Sequence, residues 1–257
     1  VCSSDLADNP LWGKTLILTG ASTGIGRALA PALASEGVNL VLNARSEALL
    51  HEARDEVRSL GVEAEAVAGS CAEGGVVSEL TRLAIGIGRF HGFIHAAGVL
   101  YPGPFLWELS FRQFQDVFDA SVAGAFELMR QAVPVLRERG EGVAIFFGSG
   151  ASERQTPGLG AYGAAKAAEE HLAKQLAAEA PEIISLIFRP GVVETRMQQE
   201  AREARGGASV AVQAFFHGFR DRGELISTET AARCLVNVLL HGPGRFHGSV
   251  ATWRDGL

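Results

Sequence analysis

Thr15–Ala30, TLILTGASTGIGRALA, holds an apolar run, a glycine-bearing turn and the start of a helical pattern in immediate succession. Thr15 to Thr19 are leucine or β-branched residues without charge, as in a strand buried on both faces of a parallel sheet. Gly20, Gly24 and Gly26 remove side chains that would keep an anion from the backbone. The helix that follows offers unpaired N–H groups and the positive end of its dipole. With Ser22, Thr23 and Ile25 the turn is suited to cradling a pyrophosphate. Its spacing is Gly-x-x-x-Gly-x-Gly, distinct from the commoner Gly-x-Gly-x-x-Gly fingerprint. Because 31 glycines in 257 residues produce many such spacings, support has to come from elsewhere in the chain.

Outward from this turn, strand-like and helix-like segments alternate. The helix from Gly24 runs to Glu36, and Gly37 is the residue expected past its end. Strands are predicted at 38–43, near 63–67, at 92–95, 142–148 and 183–189, with a short last one near 249–253. Helices are predicted over 46–60, 75–89, 110–139, 160–180 and 227–240; Ser110-x-x-Gln113 has the form of a capping box, and Pro134 is expected to bend the long helix. Residues 192–225 read as irregular to helical. The alternation predicts an α/β, doubly wound fold with a mainly parallel sheet of about seven strands, in a single domain over 10–257. In such a sheet ligands bind beyond the carboxyl ends of the strands. Val1 to Asn9 show no pattern and no initiator Met, so 1–9 are expected to be a disordered or non-native lead.

The net charge of −6 and pI near 5.7 argue against a nucleic-acid partner. Cys2, Cys71 and Cys234 lie far apart, match no zinc spacing and suit a reduced compartment, so no metal is expected. No run approaches the ~18 apolar residues of a membrane span, and a cytoplasmic, soluble protein is expected.

Tyr162 and Lys166 are four apart on a predicted helix, so both emerge on one face, one turn apart. An ammonium near a phenol favours the phenolate and brings the hydroxyl toward the range where acid–base work is efficient. Ser149, just past the fifth strand, can offer its hydroxyl to the same oxygen as that oxygen gains charge. With two Tyr and three Lys in the chain, this spacing arises by chance about two per cent of the time.

TGASTGIG (19–26), Ser149 and Tyr162-x-x-x-Lys166 match in order and spacing the pattern of the short-chain dehydrogenase/reductase family, which the chain resembles over nearly all of Thr15–Met197. The resemblance implies a bound NAD(P), Tyr162 as proton donor or acceptor, Lys166 binding the nicotinamide ribose and tuning Tyr162, and Ser149 orienting substrate. RPGVVETRM (189–197) matches the family's Pro-Gly segment. There Pro190 and Gly191 lead to the Val193 backbone and Thr195, which would hold the carboxamide. Ala96, Ala97 and Gly98 stand in the loop that lines the cofactor.

Departures from the family pattern carry information. His95 opens HAAG where the family usually has Asn-Asn-Ala-Gly, and it is expected to be a structural substitute and not a ligand. Ser70 and Cys71 stand where an Asp-Val pair usually frames the adenine. Ser121 replaces an active-site Asn on the long helix, and its hydroxyl is expected to hold a water that resupplies protons through Lys166. After the second strand, Ala44 occupies the position of the NAD-selecting carboxylate, and Arg45 and Ser46 suit a 2′-phosphate; Arg45 can also be read as a solvated charge at a helix start, since Thr23 stands where many NADP-preferring members add a second basic residue. NADP(H) is therefore expected over NAD(H), which stays possible.

Tyr101, Phe105 and Trp107, with Phe215, Phe216 and Phe219, read equally well as substrate walls or as core. The segment from VETRMQQEAR (193–202) to GELIST (223–228), about 194–226, faintly resembles the sepiapterin and benzil reductase branch. The expected activity is NADPH-dependent reduction of a ketone or diketone to an alcohol. The alternatives are an NADP(H)-binding sensor or scaffold with weak turnover, and a lyase or epimerase using the same Tyr. The resemblance also implies a homodimer or homotetramer through the helices at 110–139 and 160–180.

Overall fold

The computed structural model describes residues 9–257, and the expectation of a disordered lead falls outside them except at Asn9. Asn9 is tied to the end of the first helix, its Nδ2 donating to the Glu36 carbonyl at 3.1 Å. In chain order the elements are β1 (Thr15–Thr19), α1 (Gly24–Ser35), β2 (Asn39–Ala44), α2 (Glu47–Ser59), β3 (Ala64–Ala68), α3 (Gly74–Ile87) and β4 (Phe90–His95). They continue with α4 (Phe111–Phe118), a π-helical turn (Asp119–Ala123), α5 (Gly124–Arg139), β5 (Gly142–Phe147), α6 (Gly160–Glu179), β6 (Ile183–Arg189), α7 (Arg196–Arg202), α8 (Ser209–Asp221), α9 (Thr228–Leu240) and β7 (Val250–Thr252).

The seven strands form one sheet in the order β3-β2-β1-β4-β5-β6-β7, and every pair is parallel. The order reverses between β1 and β4, which opens a crevice beyond their carboxyl ends. Alternate strand residues face opposite layers. Leu16, Leu18, Leu40, Leu42, Ile94, Val143 and Ile145 pack under α1, α2 and α9. Ile17, Val41, Phe93, Ala144, Phe146 and Ile187 pack under α3, α5 and α6. With both faces covered, the strands read as continuous apolar runs and not as alternating ones.

One expectation needs correction. The helix read as continuous over 110–139 is interrupted at 119–123, where the Gly124 N–H reaches back to the Asp119 carbonyl, five residues earlier. Such a turn widens the helix by one residue and re-aims the side chains on it, Ser121 among them. The segment 192–225, read as irregular to helical, is both: α7 and α8 are joined by irregular chain. A parallel bridge between Val193 and Ile226 closes its base, and the Ala208 N–H bonds the Gly103 carbonyl at 2.8 Å near its tip.

Candidate active site

At the crevice, Gly20 has φ 69°, and a Cβ there would lie 2.8 Å from the backbone of Ala96 and Ala97. A Cβ on Gly26 would lie 2.3 Å from the Gly20 carbonyl oxygen, so the turn closes on itself only with glycine at both positions. The N-terminus of α1 is left unprovided: Thr23 makes no side-chain cap bond and no acidic residue lies in the first turn. Its N–H groups and dipole therefore stay available to an anion. Ser22 and Ile25 lie within this turn, and Gly24 faces the Thr195 methyl across the crevice, 3.6 Å from where a Cβ would sit.

The wall opposite comes from the chain after β6. Gly191 has φ 83° and follows Pro190. The bridge between Val193 and Ile226 uses the Val192 carbonyl and the Glu194 N–H, so the N–H and C=O of Val193 have no partner among the described residues. An adjacent donor and acceptor fit the two halves of a carboxamide. Thr195 caps α7, accepting from the Gln198 N–H at 3.3 Å. The glycine turn and the free Val193 backbone fit an extended dinucleotide with phosphates near Gly24 and an amide near Val193.

The loop after β4 is braced from below by His95. The Ala97 N–H donates to Thr19 Oγ1 at 3.3 Å, Thr19 Oγ1 lies 2.8 Å from His95 Nδ1, and His95 Nε2 lies 3.1 Å from the Ser121 carbonyl. One tautomer satisfies the whole series, with the proton on Nε2 and Nδ1 accepting from Thr19. Burial, and then Lys166 nearby, push His95 down to about 3, so the ring is neutral. His95 thus supplies the brace that the absent Asn would have given.

Tyr162 and Lys166 sit on α6 as expected, with Lys166 Nζ 5.9 Å from the Tyr162 ring centre and close to Gly98. Lys166 is buried; its Nζ donates to the Phe147 carbonyl at 2.8 Å and to Glu169 Oε2 at 2.7 Å. Burial works against the ammonium, but Glu169, Tyr162 and Glu170 together more than offset it, and Lys166 is held above the usual lysine range. Ser149 begins a short 3₁₀ turn after β5, its Oγ accepting from the Ala151 N–H at 3.2 Å. Ser121 is fully buried, and its hydroxyl has no partner among the described residues.

Two site-supporting residues escaped the sequence reading. Glu170 accepts the Ser149 N–H at 3.1 Å and the Ser152 hydroxyl at 3.0 Å, and it pairs with Arg189 through both carboxylate oxygens, at 3.0 and 2.7 Å. It fixes the loop that carries Ser149. Glu169 is wholly buried against Lys166, with Oε1 unpartnered. Their signal was two acids three and four residues after Lys166.

At the adenosine end, Arg45 pairs with Asp116 at 3.0 Å, and Asp116 also accepts the Tyr101 hydroxyl at 2.7 Å. Ser46 precedes α2 without a side-chain cap bond, so its hydroxyl stays uncommitted to the helix. The Ser70 hydroxyl accepts the Ala72 N–H at 3.3 Å, while the Cys71 thiol is buried, pushed up to about 11 by desolvation, and packs beside Gly124 in the core. Only the backbone of Cys71 is left to face a base.

The aromatic residues divide. Tyr101 and Phe216 pack in clusters that include Tyr162. Leu100, Leu159, Met197, Phe114 and Phe118 belong to the same clusters and were not singled out from the sequence. Phe105 and Trp107 stack on each other with ring centres 4.8 Å apart, and Trp107 is 81% exposed. Phe215 packs edge-on against Phe216 and Phe219.

A family model described as short chain dehydrogenase matches residues 14–206. A crystal structure of a short chain dehydrogenase/reductase from Saccharomyces cerevisiae superposes with a TM-score of 0.84 at 28% identity, covering 94% of this chain and 96% of that one. The chain is 27% identical over 257 residues to a benzil reductase ((S)-benzoin forming) of S. cerevisiae, across 95% of this chain and 97% of that protein. It is 32% identical over 203 residues to an NADPH-dependent aldehyde reductase-like chloroplastic protein of Arabidopsis thaliana, across 73% and 75% of the two chains.

Proposed function

Since this chain belongs to the short-chain dehydrogenase/reductase family of oxidoreductases, we propose that it reduces a ketone or diketone to an alcohol with NADPH. The observation that carries the reading is the pairing on α6 of Tyr162 with a buried, charged Lys166, beside a helix N-terminus left open for phosphate. The cofactor supplies the hydride. Tyr162 gives its phenolic proton to the carbonyl oxygen, and the Ser149 hydroxyl, placed by Glu170, donates to that oxygen as charge builds. Lys166 holds the ribose and favours loss of the Tyr162 proton. Ser121 holds a water that returns protons toward Lys166.

The preference for NADPH is supported by Ala44, Arg45 and the uncommitted Ser46 hydroxyl. The Asp116 partner of Arg45 is a surface contact that a phosphate can replace with a stronger, doubly charged acceptor. The carbonyl substrate is supported by the apolar residues around Tyr162 and by the name of the benzil reductase relative. The exposed Phe111 and Phe126 on α4 and α5 support a homo-oligomer through those helices.

The test is consumption of NADPH and of NADH against ketones, diketones and quinones, with Tyr162→Phe and Arg45→Ala alongside. NADPH is expected to be favoured, Arg45→Ala to narrow the preference, and Tyr162→Phe to lower turnover by about 10²–10⁴ with cofactor binding retained. No turnover with any carbonyl, or full turnover in Tyr162→Phe, overturns the reading.

A further inference from the structure

Behind Lys166 lies a carboxylate that the proposed chemistry does not use. Glu169 sits three residues on from Lys166 along α6, with 0% of its surface exposed. Its Oε2 receives the Lys166 ammonium at 2.7 Å. Its Oε1 has no hydrogen-bond partner among the described residues and lies 3.9 Å from His95 Nε2, whose proton is already directed at the Ser121 carbonyl. A buried carboxylate usually collects several donors. This one has a single donor, and that donor is the lysine expected to tune the catalytic phenol.

We propose that Glu169 is a positioning residue that sets the net charge presented to Tyr162 by exchanging one proton with solvent. When ionised, Glu169 neutralises the Lys166 ammonium, and the Tyr162 phenol keeps its proton to higher pH. When protonated, it leaves the ammonium uncompensated, and the phenol gives its proton up more readily. No bond other than that to the exchanged proton is made or broken. The remaining surroundings do not compensate the carboxylate. Burial pushes Glu169 up to about 7 against the opposing pull of Lys166, and Glu170 on the same helix adds to the rise. Glu170 itself is taken up by Arg189 of β6. His95 of β4 is neutral, and the Cys71 thiol after β3 is held protonated. Ser121 contributes an uncharged hydroxyl.

The consequence for catalysis rests on the proposed carbonyl reduction, which needs Tyr162 protonated, whereas alcohol oxidation needs it ionised. With Glu169 charged, the site holds its reductive form to higher pH.

The charge effect can be read without cofactor or substrate, because the chain has only two tyrosines. Tyr101 is held up by its hydrogen bond to Asp116, and Tyr101→Phe removes it from the signal. In that background, phenolate absorbance is titrated for Glu169, Glu169→Gln and Glu169→Leu. Both neutral variants are expected to ionise Tyr162 about one pH unit lower, a tenfold shift for loss of one charge at this range. Glu169→Asp should restore most of the parental position. Superimposable titrations in folded Gln and Leu variants overturn the proposal. In the parent, where no variant need fold, infrared spectra should show a buried carboxylic-acid band that disappears on titration through neutral pH; absence of such a band also overturns it. A shifted phenolate titration without turnover of any carbonyl would sink the reductase reading alone, and turnover with an unshifted titration would sink the charge effect alone.

Discussion

Glu169 and Glu170 are consecutive on α6, both buried, one beneath Lys166 and the other beneath Ser149, yet their surroundings differ sharply. Glu170, under Ser149, is saturated: two bonds to Arg189, one from the Ser149 N–H and one from the Ser152 hydroxyl. Glu169, under Lys166, has one charged donor and an idle oxygen. A saturated buried carboxylate is held in one geometry by its donors and serves as a fixed strut. One with a single partner has no such guarantee and stays open to titration. The same residue type, one position apart, is rigid framework on one side and an adjustable charge on the other.

The largest effect should come from the strut. Glu170→Ala removes the partner of the buried side of Arg189 and the acceptor of the Ser149 N–H, and it should cost about 3–5 kcal/mol in chemical denaturation. A loss below about 1 kcal/mol would erase the contrast between the two acids.

Next is the pH dependence of the adjustable charge. The native state holds the Glu169 proton more tightly than the unfolded chain does, since its position rises from 4.5 to about 7. The stabilisation linked to that proton is complete below the unfolded value and is lost as pH rises through the native one. The parent should therefore lose stability relative to Glu169→Gln between about pH 4.5 and pH 7, by about 3 kcal/mol, one pKa unit being worth about 1.4 kcal/mol. Parallel stability profiles for the two proteins would show that Glu169 carries no adjustable proton.

Ser121→Ala offers a smaller change. The hydroxyl has no partner among the described residues to lose, so stability should move by less than about 1 kcal/mol while turnover falls and its pH profile shifts. An unchanged rate would assign the position to packing.

Smallest is Asp116→Asn, which keeps an acceptor for the Tyr101 hydroxyl and removes the charge paired with Arg45. The Arg45 pair is exposed and should contribute well under about 1 kcal/mol to stability, yet freeing Arg45 should tighten NADPH binding measured by fluorescence titration.

The sheet, the glycine turn and the Tyr162–Lys166 pairing were legible because each leaves a local pattern: apolar runs, glycines at fixed offsets, a spacing of one helical turn. The two acids were not. Lys166 followed by Glu169 and Glu170 has the spacing of an ordinary solvated helix pair. Only the fact that this face of α6 turns inward makes them buried. The π-turn at 119–123 escaped for a related reason: the one glycine that closes it, Gly124, is held there by close contact with Cys71 and His95, which are distant in sequence. The helices α7 and α8 are short or amphipathic, and within 192–225 only Thr195-x-x-Gln198 announces a start. His95 was singled out as a departure, but its partners Thr19 and Ser121 lie 76 and 26 residues away and needed the fold to bring them close.

The bridge between Val193 and Ile226 has a consequence of another kind. Everything between those residues starts and ends at this one bridge beside the crevice, and is clasped elsewhere near Gly103 and Glu108 by the Ala208 and Gly207 N–H groups. A stretch attached in this way behaves as a cassette. Its length and composition can drift, or be exchanged with that of a relative, without altering the register of any strand or the spacing of Tyr162, Lys166 and their acids. Changes to such an insert would alter the wall above Tyr162 while leaving α6 and the strands beneath it in place.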